Sequence, residues 1–183
     1  MPNNPTIEEI YIQYITDDTL RQIAERLFHI AQVHKMKNRP VSYHSFTFTY
    51  RSTNVFNITM RATLSNKGVR KIDPTNHFIV QICMGKKDEA EALLAAQPQH
   101  IRTEYIGSRV ISCGICAGTP EGQAARNLTC DKVLYFRESN ETYPLCTINF
   151  GYARHNPTPA QYEIIEHLIL KRIQAIDIAK AKK

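Results

Sequence analysis

Hydrophobic and polar positions change period several times along this chain. Leu20, Ile23, Ala24, Leu27, Phe28, Ala31 and His34 recur at three- and four-residue spacing, which predicts an amphipathic helix starting at Thr16 or Asp17. Thr6 and Glu9 have the spacing of a capping box ahead of Ile10, Tyr11 and Tyr14, predicting a short helix before it. Pro40 stops the helical pattern, and from Ser42 the period becomes two. Phe46, Phe48 and Tyr50 alternate with Ser45, Thr47 and Thr49, and Phe56, Ile58 and Met60 follow in the same phase after Ser52-Thr53-Asn54. These runs predict a β-hairpin with one buried face. Phe78–Met84 is apolar on both faces and predicts a central strand.

The second half is less regular. Residues 88–96 predict a short helix ended by Pro98, and weak alternation over Ile101–Ser112 suggests a further strand. Residues 113–129 hold three glycines, a proline and two cysteines, the composition of an irregular loop. Lys132–Phe136 and Tyr143–Phe150 flank a turn in Glu138-Ser139-Asn140-Glu141 and form a second hairpin. Thr158 as N-cap, Pro159 at the first helical position and Gln161 at the third open a closing helix. Its apolar side carries Tyr162, Ile165, Leu168, Ile169, Ile173 and Ile176. The fold class is therefore α+β: an antiparallel sheet with N-terminal and C-terminal amphipathic helices and a cysteine-bearing loop. Residues 1–183 are expected to form a single domain, within which 113–150 is a zinc-stabilised subregion.

Composition agrees with a packed domain: 43% of the 183 residues are hydrophobic and 22% charged, which excludes a disordered tail or a collagen-like fibre. No apolar run reaches the roughly 20 residues of a membrane span, and the first residues lack the pattern of a signal peptide. The expectation is a cytoplasmic protein with no membrane association, in which the three N-x-Ser/Thr sequons have no bearing. The net charge of +6 is uneven: residues 1–30 carry five acids and two bases, residues 171–183 five bases and one acid. The basic C-terminal helix makes nucleic acid one candidate partner, although no nucleic-acid-binding motif accompanies it. The aromatics of the first hairpin fit plain core better than a ligand cleft.

The candidate chemistry lies in the cysteines. Cys83 falls inside the central strand and fits a buried apolar role. Cys113, Cys116, Cys130 and Cys146 remain as candidate metal ligands. Cys-x2-Cys offers two thiolates from one tight turn, and four soft ligands suit tetrahedral zinc. Hairpin register argues the other way. With Ser139-Asn140 as a two-residue turn, Cys146 faces Val133 and Cys130 faces Asn149, so the two thiols are offset along the ladder. Cys130 reaches Cys146 only if it precedes the strand and its loop folds back. His155 is a candidate replacement ligand, and an iron–sulfur cluster would need tighter spacing.

Cys113-Gly114-Ile115-Cys116 resembles a thioredoxin-type Cys-x-x-Cys. That chemistry needs a helix beginning at the first cysteine to lower its pKa, and Ala117-Gly118-Thr119-Pro120-Glu121-Gly122 is too broken to supply one. The likeness covers four residues and carries over no family function. No Gly-x-Ser-x-Gly elbow, dinucleotide fingerprint or P-loop is present. The sequence therefore points to a small metal-stabilised binding or regulatory module with structural zinc. Its ligand is unknown, a small molecule or a protein. The alternatives are an enzyme, either a thiol-disulfide oxidoreductase using Cys113 and Cys116 or a zinc-dependent hydrolase, and a nucleic-acid-binding protein.

Overall fold

The computed structural model describes residues 12, 15, 17–42, 45–60, 62–64, 70–72, 78–107, 133–146 and 152–182. Of the short helix expected after Thr6 only Ile12, which is helical, is described, and the loop 113–129 lies outside the described residues.

Asp17 is extended (φ −77°, ψ 120°), and its carboxylate accepts the Leu20 amide at 2.9 Å. This satisfies one orphan donor of helix α1 (Asp18–Val33), as an N-cap should. Its buried residues include Leu20, Ile23, Leu27 and Phe28, the predicted stripe. The chain then forms β1 (Lys37–Ser42), β2 (Ser45–Tyr50), β3 (Thr53–Met60), a small ladder of β4 (Ala62–Leu64) with β5 (Arg70–Ile72), and β6 (Phe78–Ile82). Helices α2 (Lys87–Ala95) and α3 (Gln99–Gly107) follow. Beyond them come the hairpin β7 (Val133–Glu138) and β8 (Glu141–Cys146), then β9 (Tyr152–His155) and the closing helix α4 (Pro159–Ala181).

The main sheet has strand order β1-β2-β3-β6-β9, with every neighbouring pair antiparallel. The predicted α+β class and the helices at both ends of the chain are both present. Registers Phe48 with Phe56, Phe56 with Ile82 and Ile82 with Tyr152 place one row of apolar side chains on a single face. Phe28 of α1 meets Phe48 edge-on with ring centroids 5.6 Å apart, and Phe48 stacks on Phe56 at 4.4 Å. α4 packs on β3 and β6 and touches α1 and α2, so this face holds the core. A bulge after Phe48 leaves Val55 outside the pairing, and Val55 and Phe56 are both buried. Both expected hairpins form. The first turns at Arg51-Ser52, one residue earlier than read, with φ values of 47° and 66°; positive φ at both positions matches the right-handed twist of the flanking strands. The second turns at Ser139-Asn140 and pairs Val133 with Cys146, the predicted register.

Three elements differ from the sequence reading. β1 runs through Pro40, which stops a helix but is tolerated on an outer strand, where a missing amide costs no ladder bond. Gln99–Gly107 is helical, although the weak alternation over 101–112 suggests a strand. Ile101 and Tyr105, four apart, are both buried on one helical face, and that packing outweighs a marginal period-two signal. Of the last expected strand, 143–150, residues 143–146 are the end of β8 and 147–150 lie outside the described residues; β9 is a further strand that the sequence reading did not include.

α4 carries the predicted cap in full: Thr158 accepts the Gln161 amide at 3.3 Å, and Gln161 Oε1 accepts the Thr158 amide at 3.1 Å. Ile165, Leu168 and Ile169 are fully buried. Ile165→Ala is expected to cost about 2–5 kcal/mol through lost transfer energy and a residual cavity. Thr158→Ala should cost only about 1 kcal/mol. Urea unfolding should show the larger midpoint shift for Ile165→Ala at unchanged m-value.

Candidate binding groove

Apolar residues of α4 fall at three- and four-residue spacing, and position 172 lies on that same buried stripe between Ile169 and Ile176. It is an arginine. Its side chain is 4% exposed, and Nη1 donates to Glu89 Oε2 at 2.8 Å, while the Glu89 side chain remains 49% exposed. Arg172 Nε is buried and has no hydrogen-bond partner among the described residues. The pair sits over Gly85, whose φ is 93°. A Cβ at Gly85 would fall 2.5 and 2.7 Å from the two Arg172 amino groups and closer still to Glu89 Oε2. Glycine is therefore required there for both conformation and space.

Beside this pair a groove of about 870 Å³ runs between α2 and the C-terminal half of α4, with Thr53 of the β2–β3 hairpin at its margin. Ala92, Leu93 and Ala96 of α2 face Ala175, Ile176 and Ala179 of α4. Lys86, Lys171, Lys180 and Lys182 also line it, against the two acids Asp88 and Glu89. With Arg172 the balance is basic. The arrangement combines an apolar surface with a cationic edge, and suits a ligand that has an apolar body and an anionic group. The basic end of the C-terminal helix, noticed as a charge run, contributes Lys180 and Lys182 to this edge.

At the C-terminal end of α2 a polar bridge ties α2 to α4. Buried Gln97 donates to the Leu93 carbonyl at 2.6 Å, and its Oε1 lies 2.7 Å from His167 Nε2. The acceptor is an amide oxygen, so His167 Nε2 carries the proton. Burial first, then the charges of Lys171 and His100, hold the His167 pKa below its ordinary value near 6.5.

Two further ion pairs are structural in geometry. Arg102 Nε and Nη2 donate to the two Glu138 oxygens at 2.8 and 2.9 Å, which holds the Glu138 carboxyl below its usual range. Arg154 Nε donates to Glu104 Oε1 at 2.7 Å, and the Tyr152 hydroxyl donates to the same oxygen at 3.2 Å. Burial raises the Tyr152 pKa above the ordinary phenol value. Glu104 thus joins α3 to β9 through Arg154 and Tyr152.

Cys113, Cys116 and Cys130 lie outside the described residues, and Cys146 is placed by its backbone alone, at the end of β8 opposite Val133. Cys83 is buried as expected, and burial pushes its thiol pKa up to about 11, outweighing the nearby Arg172 charge. It is a protonated core thiol. His155 ends β9 opposite Ile79. Among the described residues no cluster of three or more His, Cys, Asp or Glu stands ready to hold a metal, and no helix is long and apolar enough to cross a membrane. Arg172 is the site residue that the sequence reading passed over. Its signal was a charge on the apolar stripe of α4, but Glu89 lies 83 positions away, and no spacing rule connects them.

No protein-family model matches this chain. Comparison with curated proteins and with solved structures gives no match either.

The depressed His167 pKa makes stability pH-dependent. The unfolded chain takes up the proton near pH 6.5, before the folded chain does, so stability rises with pH in that interval. The His167 contribution is fully present above pH 6.5 and is lost as pH falls toward the lower folded value. His167→Gln is expected to flatten this segment of the profile, read as urea midpoints between about pH 8 and about pH 5.

Proposed function

We propose that the chain is a small binding or regulatory module whose groove between α2 and α4 takes a small molecule with an apolar body and an anionic head. One observation carries this reading: the groove sets an alanine- and leucine-lined surface beneath four lysines, beside a buried arginine. Its volume of about 870 Å³ falls in the range of sites that enclose small ligands, about 300–1,000 Å³. Burying about 200 Å² of alkyl surface contributes about 5 kcal/mol, and a charge-assisted hydrogen bond about 2 kcal/mol.

Decyl phosphate, titrated below its micelle-forming concentration and followed by calorimetry, is the direct probe. It should bind saturably at one site, and Ala179→Glu, which places a negative charge in the groove, should abolish the heat. Salt-dependent binding of a short oligonucleotide, insensitive to Ala179→Glu and with no decyl phosphate binding, would instead favour nucleic acid as partner.

We also propose that Cys113, Cys116, Cys130 and Cys146 hold a structural zinc ion. Four thiolates are a complete tetrahedral donor set. Cys146 ends β8 at the open end of its hairpin, and the chain entering β7 from that same end leads back to Cys130. This supports the loop-return geometry that such a site needs. Zinc would pin the long loop to the hairpin, and the groove lies on other elements. Metal analysis should find one zinc per chain, with no thiol reactive toward Ellman's reagent in the native protein. A chelator should release the metal and expose four thiols, while Cys83 stays protected until unfolding. A metal-free chain with a Cys113–Cys116 pair that cycles under mild reductant would sink the zinc reading in favour of a thiol-disulfide oxidoreductase. Metal-dependent ester or peptide hydrolysis would indicate the zinc hydrolase.

A further inference from the structure

Resting on the groove reading, we infer that Glu89 is a built-in stand-in for the ligand's anionic head: the natural ligand is a free amphiphile bearing one carboxylate or phosphate, which displaces Glu89 from Arg172. The argument begins with the asymmetry of the pair. Arg172 is 4% exposed and Glu89 49% exposed. The cation is fixed inside the helix–helix junction, while its anion reaches in from the groove wall. A buried guanidinium stays paired, because an uncompensated charge in that position is strongly destabilising. Exchange of one anion for another keeps it neutralised throughout.

Release of Glu89 is inexpensive. Its carboxylate is half in water already and lies in the first turn of α2, where the helix dipole favours a negative charge with or without Arg172. Glu89 also uses the guanidinium sparingly. One hydrogen bond joins Nη1 to Oε2, and Nε has no partner among the described residues. An incoming carboxylate or phosphate that engages the guanidinium through two donors makes the stronger, bidentate contact. Gly85 makes room for either anion, because it has no Cβ at the point where the pair crosses the backbone. The lysines at the groove edge raise the local concentration of anions, and the apolar strip formed by Ala92, Ala96, Ala175 and Ala179 receives the alkyl chain. A head group that must reach a side chain so buried favours a free monomer over a lipid held in a bilayer.

Glu89→Gln replaces the charged competitor with a neutral acceptor; it should lower the urea midpoint, because Arg172 loses its anion, and it is titrated where circular dichroism shows the native helix content. Calorimetric titration should show decyl phosphate and decanoate binding about five- to tenfold tighter than to the unaltered protein, the difference between a charged and a neutral hydrogen-bond acceptor on a guanidinium. Affinity for neutral decyl maltoside should be unchanged. Asp88→Asn removes the other groove-lining acid and controls for general charge; it should change affinity by less than about twofold, because exposed charges are screened. Equal tightening by Glu89→Gln and Asp88→Asn, or tightening toward the maltoside as well, overturns the displacement of Glu89 while leaving the groove reading in place. No binding of any decyl compound to either protein defeats the groove reading itself. Sedimentation with phosphatidylglycerol vesicles, enhanced by Glu89→Gln in the absence of monomer binding, overturns the free amphiphile in favour of a membrane headgroup.

Discussion

A positive charge buried at the junction of two helices and a sheet has to be neutralised, and that requirement at Arg172 organises the molecule around it. Arg172 lies on the face that α4 turns toward the core, beside Ile169, Ile173 and Ile176. Leaving a guanidinium there without an anion would cost several kcal/mol, so an acid has to be delivered to it. Glu89 comes from the first turn of α2, and α2 can present it only if the chain turns sharply on leaving β6. Gly85, at φ 93°, makes that turn and leaves the space the pair occupies. One charge therefore sets the identity of a turn residue, the placement of a helix and the wall of the groove.

Much of the architecture could be read before the structure because it rests on local periodicity and end signals. Asp17 and Thr158 both cap as their chemistry dictates, and the apolar stripes of α1 and α4 are the buried ones. The second hairpin turned at Ser139-Asn140 because a two-residue reversal fixes register arithmetically. The readings that failed were those in which tertiary context outweighs a weak local signal. Pro40 stops a running helical pattern, yet only the finished sheet reveals that it lies in a strand and that this strand is outermost. Ile101 and Tyr105 fit either a strand or one helical face, and packing against the core selects the helix. β9 is a short strand whose partners in β6 lie 70 to 76 positions earlier in the chain. The groove was legible only in fragments. The basic end of α4 was visible as composition, whereas its role as an edge depends on α2 standing opposite.

The ion pairs outside the core show a second pattern. Arg102 of α3 grips Glu138 at the end of β7, and Arg154 of β9 grips Glu104 of α3. α3 is thereby fastened to both the small hairpin and the outermost strand β9. Each pair is largely shielded, with side-chain exposures between 17% and 25%, and Arg102 binds both carboxylate oxygens. Shielding and bidentate geometry set these contacts apart from ordinary surface pairs, which contribute about 0–1 kcal/mol.

This fastening bears on the energetics of a metal in the cysteine segment. Residues 108–132 leave the chain at the end of α3 and return at the start of β7, and the Arg102–Glu138 pair already holds those two elements together. Closing a loop costs entropy that grows only as the logarithm of its length, and here the folded scaffold meets that cost before any metal binds. A zinc ion drawing Cys113, Cys116 and Cys130 toward Cys146 would act on a loop whose flanking elements, α3 and β7, are already fixed by the fold. Its binding energy would go mainly into ordering the loop interior, and the sheet, α1 and α4 would fold without it. The proposed metal and the groove would then belong to separate parts of the protein, and a zinc ion bound by the four cysteines would leave the Arg172–Glu89 junction to stand on its own contacts.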